Sequence, residues 1–185
     1  MHALYALLEG SCVPEDTGHA RDTLRWLLRL APRADWALRF AAQAHDVDRA
    51  LPEDQRTCRR DFPDYESFKA AHAANSARVA TALLRKAGAP SSVLQDVARL
   101  VYRHEHAQGD ARQVALCDAD ALSFYTHNLP YYLLREGWAE ARRRVRWGAG
   151  RLSPEARQRL IAFPFADPRI QMLVHDACVA DSDNN

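Results

Sequence analysis

The chain has 185 residues, the length of one ordinary domain with room for a sizeable core, which excludes two large domains. Hydrophobic residues make up 48% and charged residues 26% of it, and no apolar run approaches the roughly 18 residues of a membrane span, so the expectation is a soluble globular protein with no membrane partner. Lys and Arg total 25 against 24 Asp and Glu; a near-neutral balance gives nucleic acid and anionic lipid no global attraction and points to a small ligand.

Cys12, Cys58, Cys117 and Cys178 stand far apart with no C-x-x-C pair, which argues for reduced thiols rather than a zinc ribbon or redox motif. The segment from Met1 to Cys12 lacks a basic start and is interrupted by Glu9, against a secretory leader and for a cytoplasmic protein. Ala, Leu and Arg dominate, Gly and Pro number only 7 and 9, and alternating β-branched runs are missing. These features predict an all-α bundle of about six to eight helices in a single domain over residues 1–185.

In chain order, Pro14-Glu15-Asp16-Thr17 precedes Leu24, Leu27, Leu28 and Leu30 and predicts a helix over 15–30, ending before Pro32. A second helix is expected over 34–50. Pro52 and Pro63 bracket a polar connection that is long for a bundle, hence lid-like or simply variable. A long helix over 64–87 stops at Gly88-Ala89-Pro90-Ser91, and Val93, Val97, Leu100 and Val101 carry another to His106. Gly109-Asp110 breaks it, and further helices are expected over 112–127, 130–147 and 154–163. After Pro168 the pattern allows another turn or two, with 181–185 frayed.

His19, His45, His72 and His104 recur at separations of 26, 27 and 32 residues, one on each of four predicted helices. Helical bundles hold metals through inward-facing His and carboxylate groups from separate helices, each rigid helix fixing one or two ligands. His45-Asp46 adds a carboxylate beside an imidazole, and Asp118-Ala119-Asp120 offers two more. A single histidine near a helix end is more often a cap or a solvated group. The joint pattern is what makes these candidates.

The order His19 in Asp-Thr-Gly-His, then His45-Asp46, then Asp120 in Ala-Asp-Ala-Leu resembles the HD-domain superfamily of metal-dependent phosphohydrolases. The resemblance is strongest over 15–127, with 128–185 completing the bundle or pocket. It implies an HD-like helical bundle in which His19, His45, Asp46 and Asp120 hold a divalent ion (Mn, Fe, Ni, Co or Mg), and the Ala-Asp-x-Leu pattern selects Asp120 over Asp118. In members with two further histidines, the equivalents of His72 and His104 hold a second metal or contact a substrate phosphate. With two metals, Asp46 is the natural bridge, since a carboxylate has two oxygens. His175-Asp176 repeats the pair without the other ligands and reads as a surface decoy.

The implied activity is hydrolysis of a small phosphate ester or nucleotide-type substrate by a metal-activated water. Lys69, Asn75 and Ser76 share the His72 face, and Arg49 lies four residues beyond His45; Lys69 and Arg49 are candidate substrate contacts, Arg49 being equally readable as a surface residue. The catalytic acidic residue that some subfamilies carry shortly after His-Asp is absent from Val47-Asp48-Arg49-Ala50. Glu105 and Asp48 are the substitutes in view, each also readable as an exposed helix carboxylate; Asp46 and Glu105 are the catalytic candidates. The arginines from Arg135 to Arg151 interleave with Glu136 and Glu140 and read as a solvated face, with no strong nucleic-acid signal. Tyr125, Tyr131, Tyr132 and Trp138 read as core or pocket wall. Two rivals use the same residues: an HD-fold mixed-valent di-iron oxygenase, and a non-catalytic metal- or ligand-binding module. Homo-oligomers remain open.

Overall fold

The computed structural model describes residues 1–106 and 110–180, and every regular element among them is helical. The helices are α1 (His2–Glu9), α2 (Asp16–Leu30), α3 (Trp36–Ala44), α4 (Tyr65–Lys86), α5 (Ser91–Tyr102), α6 (Ala111–Ser123), α7 (Leu129–Glu136), α8 (Trp138–Ala149), α9 (Pro154–Ile161) and α10 (Pro168–Ala180). Short 3-10 turns cover Val47–Ala50 and Arg59–Asp61, and a π-helical turn covers Phe124–Asn128. None of these helices is long and apolar enough to cross a membrane. All four cysteines are free thiols.

Local chemistry accounts for the boundaries. Asp35, Asp64, Asp110 and Ser153 each accept a hydrogen bond from a backbone N–H in the first turn of α3, α4, α6 and α9, satisfying donors that a helix start leaves unpaired. At the end of α4, Gly88 adopts φ 77°; its N–H reaches the Arg85 carbonyl and that of Ala89 the Leu84 carbonyl, the paired bonds of a Schellman stop.

The core gathers one face of each helix. α2 packs on α6, α4 on α5, α3 against both α2 and α5, and α8 on α10. Leu27, Leu38, Ala41, Ala80, Leu100, Leu116 and Leu122 are buried in one continuous cluster, to which Val145, Leu160 and Val174 connect the C-terminal helices. This packing brings the start of α2, the end of α3, the middle of α4 and the turn after α5 around one point.

Several expectations are corrected. The helix expected over 34–50 ends at Ala44, and Asp46 turns to φ −104° and ψ 15° before the 3-10 turn; bonds from the Asp48 N–H to Ser76 and from the Thr57 N–H to Asp48 anchor that turn instead. The helix expected to reach His106 ends at Tyr102, leaving His104 in a turn. The helix expected over 130–147 is two helices, split where Gly137 takes φ 80° and ψ 174°, a conformation open essentially to glycine alone. The segment after Pro168 forms all of α10, and α1, absent from the sequence expectation, buries Leu4 and Leu8. Gly109 and the tail 181–185 lie outside the described residues.

A Cβ on Gly137 would meet no atom within 4 Å, so substitution isolates the backbone cost. Gly137→Ala should destabilise by about 1–3 kcal/mol in denaturant unfolding; an unchanged midpoint would show that this kink relaxes freely.

Candidate metal centre

Each of the four histidines is gripped at Nδ1 and points Nε2 inward. His45 Nδ1 donates to the Ala42 carbonyl at 3.1 Å and His104 Nδ1 to the Val101 carbonyl at 2.7 Å; a carbonyl only accepts, so Nδ1 carries a proton in both rings and Nε2 is the atom that faces the centre. His19 Nδ1 lies 2.9 Å from Ser123 Oγ, whose own hydroxyl donates to the His19 carbonyl. His72 Nδ1 lies 2.8 Å from Asp48 Oδ2. Such outer contacts fix ring orientation and tautomer in metal-binding histidines.

Around the convergence point the donors form two groups. His19, His45 and Asp120 present ligand atoms to one another, as do Asp46, His72 and His104, each group compact enough to hold a metal ion. His19 Nε2, His45 Nε2 and Asp120 Oδ1 are mutually 3.2 Å apart. Asp46 stands between the groups. Its Oδ2 is 3.8 Å from His19 Nε2 and 3.9 Å from His45 Nε2, while its Oδ1 is 2.8 Å from His72 Nε2 and 3.7 Å from His104 Nε2. One oxygen therefore faces each group. The end of α3 at Ala44 permits this, because the turn after His45 carries the neighbouring carboxylate to the same side.

The electrostatics are those of charged donors packed together. Burial opposes protonation of His45, but the Asp120 and Asp46 carboxylates outweigh it and raise its pKa to about 9. For His72, burial is likewise outweighed by the hydrogen bonds its ring donates to the Asp46 and Asp48 carboxylates, and the pKa rises to about 10. Asp46 and Asp120 fall well below the usual carboxylate range because the neighbouring histidines, and Arg49 beside Asp46, overcome burial. His104 is pushed down, first by burial and then by the charge of His45. Its Nε2 is buried with no hydrogen-bond partner, a costly omission in a protein interior. A cation held here would satisfy this orphaned lone pair and replace the protons on His45 and His72. The donor set, mixed N and O, suits first-row transition metals.

The other candidates divide. Asp118 turns away and accepts the Ser153 N–H at 3.0 Å, and His175-Asp176 sits exposed on α10. Asp48 is fully buried rather than an exposed helix carboxylate, and holds His72 and the Thr57 N–H. Asn75 and Ser76 bond to Asp48, so their role is to brace that turn rather than to offer donors to an anion. Arg49 is engaged by Asp16 at 3.3 Å and Asp46 at 3.1 Å. Lys69 is buried, between Glu66 at 3.3 Å and Glu105 at 3.5 Å.

A cavity of about 250 Å³ opens over the centre, lined by His19, Asp46, His72, Asp120, Glu105 and Lys69 among others. It shares Arg49, Tyr65, Phe68, Phe124, Asn128 and Arg144 with a cleft of about 820 Å³. Sequence reasoning missed Phe124, Asn128 and Arg144. The first two sit on the π-helical turn, a distortion frequent at functional sites, and Arg144 belongs to the stretch expected to be a solvated face. Tyr125 is core and Tyr132 is pocket wall, whereas Tyr131 and Trp138 are exposed.

The family described as a domain of unknown function (DUF4202) matches residues 5–174. The chain belongs to the DUF4202 family. Neither the curated proteins nor the solved structures yield a match to it. The match spans all the donors above, so the centre of this DUF4202 protein lies inside the family's own domain.

Two outcomes follow from the charges. In the metal-free protein the raised pKa values of His45 and His72 contribute stability that is complete below about 6.5 and lost as pH rises through about 9 and about 10. Asp46 and Asp120, both lowered, contribute stability that is lost as pH falls below their usual range. Thermal unfolding of chelator-stripped protein should therefore weaken from pH 6.5 to 10, whereas metal affinity should grow, since ligation expels protons; parallel trends would contradict this. His72→Ala should halve the number of ions held, and an unchanged ratio would remove the second group as a site.

Proposed function

We propose that this DUF4202 protein is a metal-dependent phosphohydrolase acting on a small phosphate ester or nucleotide-type substrate. The observation that carries the reading is Asp46, one oxygen turned to each of two His-containing donor groups beneath a cavity that a permanent cation also lines. His19, His45 and Asp120 would hold one divalent ion, His72 and His104 a second, with Asp46 shared. When bound, such ions supply Lewis acidity that lowers the pKa of a water and polarises a phosphoryl oxygen.

The chain's own groups do the rest. Glu105 lines the cavity outside both donor groups and is positioned to accept a proton from the attacking water and return it to the leaving oxygen. Lys69 at 3.5 Å and Arg151 at 3.2 Å fix its carboxylate. Neither contact leaves Glu105 as a freely exposed helix carboxylate. Aromatic walls from Tyr65, Phe68 and Phe124 limit water around the reacting group. Arg144, which lines both cavity and cleft with no carboxylate partner among the described residues, favours an anionic substrate, which weighs for hydrolysis over a di-iron oxygenase built on the same donors.

The test is a screen of phosphomonoesters and nucleotides with protein reloaded with Mn²⁺, Co²⁺, Ni²⁺, Fe²⁺ or Mg²⁺. Turnover that chelation abolishes is expected, with Glu105→Gln lowering kcat about 10²–10⁴-fold at unchanged metal content. Fully loaded protein that cleaves no phosphoester, or consumes O₂ with a mixed-valent iron signal, would overturn the reading.

A further inference from the structure

Most cations around the cleft are already committed. Arg49 serves Asp16 and Asp46, Arg135 serves Glu15, Arg143 serves Glu140, and Arg59 donates to the Phe62 carbonyl. Arg144 is different. Its guanidinium carbon lies 4.8 Å from the Phe124 ring centre and 4.3 Å from that of Trp147, and among the described residues no carboxylate stands within ion-pair distance of it. Two aromatic faces hold the planar group in one orientation and leave its N–H edges open, the arrangement that favours bidentate capture of an oxyanion. Arg144 lines the cavity over the donor groups as well as the outer cleft.

A second observation concerns the same space. Asn128, on the π-helical turn, is 7% exposed and lines both cavity and cleft, and its buried Oδ1 has no hydrogen-bond partner. A buried acceptor without a donor is rare in a folded protein, and on a residue of the cavity wall a rotation of the side-chain amide turns it to a ligand's O–H or N–H. A protonated phosphate oxygen, or a hydroxyl on the alcohol portion of an ester, supplies that donor while the other oxygens meet Arg144.

We propose that Arg144 is the residue that binds the substrate's oxyanion beside the metal centre, in preference to Arg49 and Lys69, and that Asn128 accepts a hydrogen bond from the same ligand. That the oxyanion is a phosphoryl group rests on the phosphohydrolase reading. The subsite itself rests on a cation without a carboxylate partner and an acceptor without a donor, on two residues that line the same cavity.

Calorimetric titration of Mn²⁺-loaded protein with inorganic phosphate tests this. Arg144→Gln should weaken phosphate binding at least tenfold while metal content and Tm stay as in the wild type, and Arg144→Lys should recover part of the loss. Asn128→Asp, which adds a negative charge at nearly constant shape, should weaken it as well. This outcome supports the subsite even if no phosphoester is turned over, in which case the hydrolase reading alone fails. Wild-type protein with no measurable phosphate affinity, or Arg144→Gln and Asn128→Asp proteins that bind as the wild type does, would overturn the assignment.

Discussion

The grip on the Nδ1 side of four imidazoles is the constraint on which the centre depends. Two backbone carbonyls, a serine hydroxyl and the buried Asp48 carboxylate take the Nδ1 atoms of His45, His104, His19 and His72, so every Nε2 is committed to the same small volume. Each grip draws on a different part of the fold: the last turns of α3 and α5, the end of α6, and the 3-10 turn before the Pro52 connection. The bundle thus fixes four Nε2 atoms, two of them protonated in the metal-free protein, before any ligand arrives. This is preorganisation, and it concentrates like dipoles and opposed charges at a cost that only a cation, or protons in its place, offsets.

Departures from regular helix do most of the placing. Ending α3 at Ala44 lets consecutive residues His45 and Asp46 face one point, which a continuing helix would direct about 100° apart. Ending α5 at Tyr102 does the same for His104. The π-helical turn over Phe124–Asn128 widens the chain where it passes the cavity, and is pinned by Thr126, which receives the Trp26 indole N–H and donates to Asp22, and by the Tyr125 hydroxyl on the Val145 carbonyl. α8 is thereby held against the site with Arg144 turned inward. The connection between Pro52 and Pro63, readable as a loose lid, is tied to the centre through Thr57 on Asp48 and the Gln55 carbonyl on Asn75.

The sequence made the all-helical fold legible because apolar periodicity and capping residues such as Asp64 and Gly88 act locally. The Ala-Asp-x-Leu resemblance selected Asp120 over Asp118, and the structure places Asp120 beside His45 and Asp118 on the Ser153 N–H. What the sequence hid depends on contacts distant in the chain. No residue inside 34–50 announces that the helix stops at Ala44, since the anchors of that turn, Ser76 and Thr57, lie elsewhere. Arg144 among the charged residues of α8 looks like its solvated neighbours until tertiary packing sets Phe124 and Trp147 around it. Asn128 carries no signal without its cavity. Gly137 was the one available clue to the split between α7 and α8, and a lone glycine in a helical pattern is too common to decide a break.

The central claim is that Asp46 joins two metal sites. Anomalous diffraction from crystals loaded with Mn²⁺ or Co²⁺ tests it most directly. Two peaks are expected, one among His19, His45 and Asp120 and one between His72 and His104, with the Asp46 carboxylate reaching both. A loaded crystal with no peak at this point, or with ions bound only elsewhere, would contradict it.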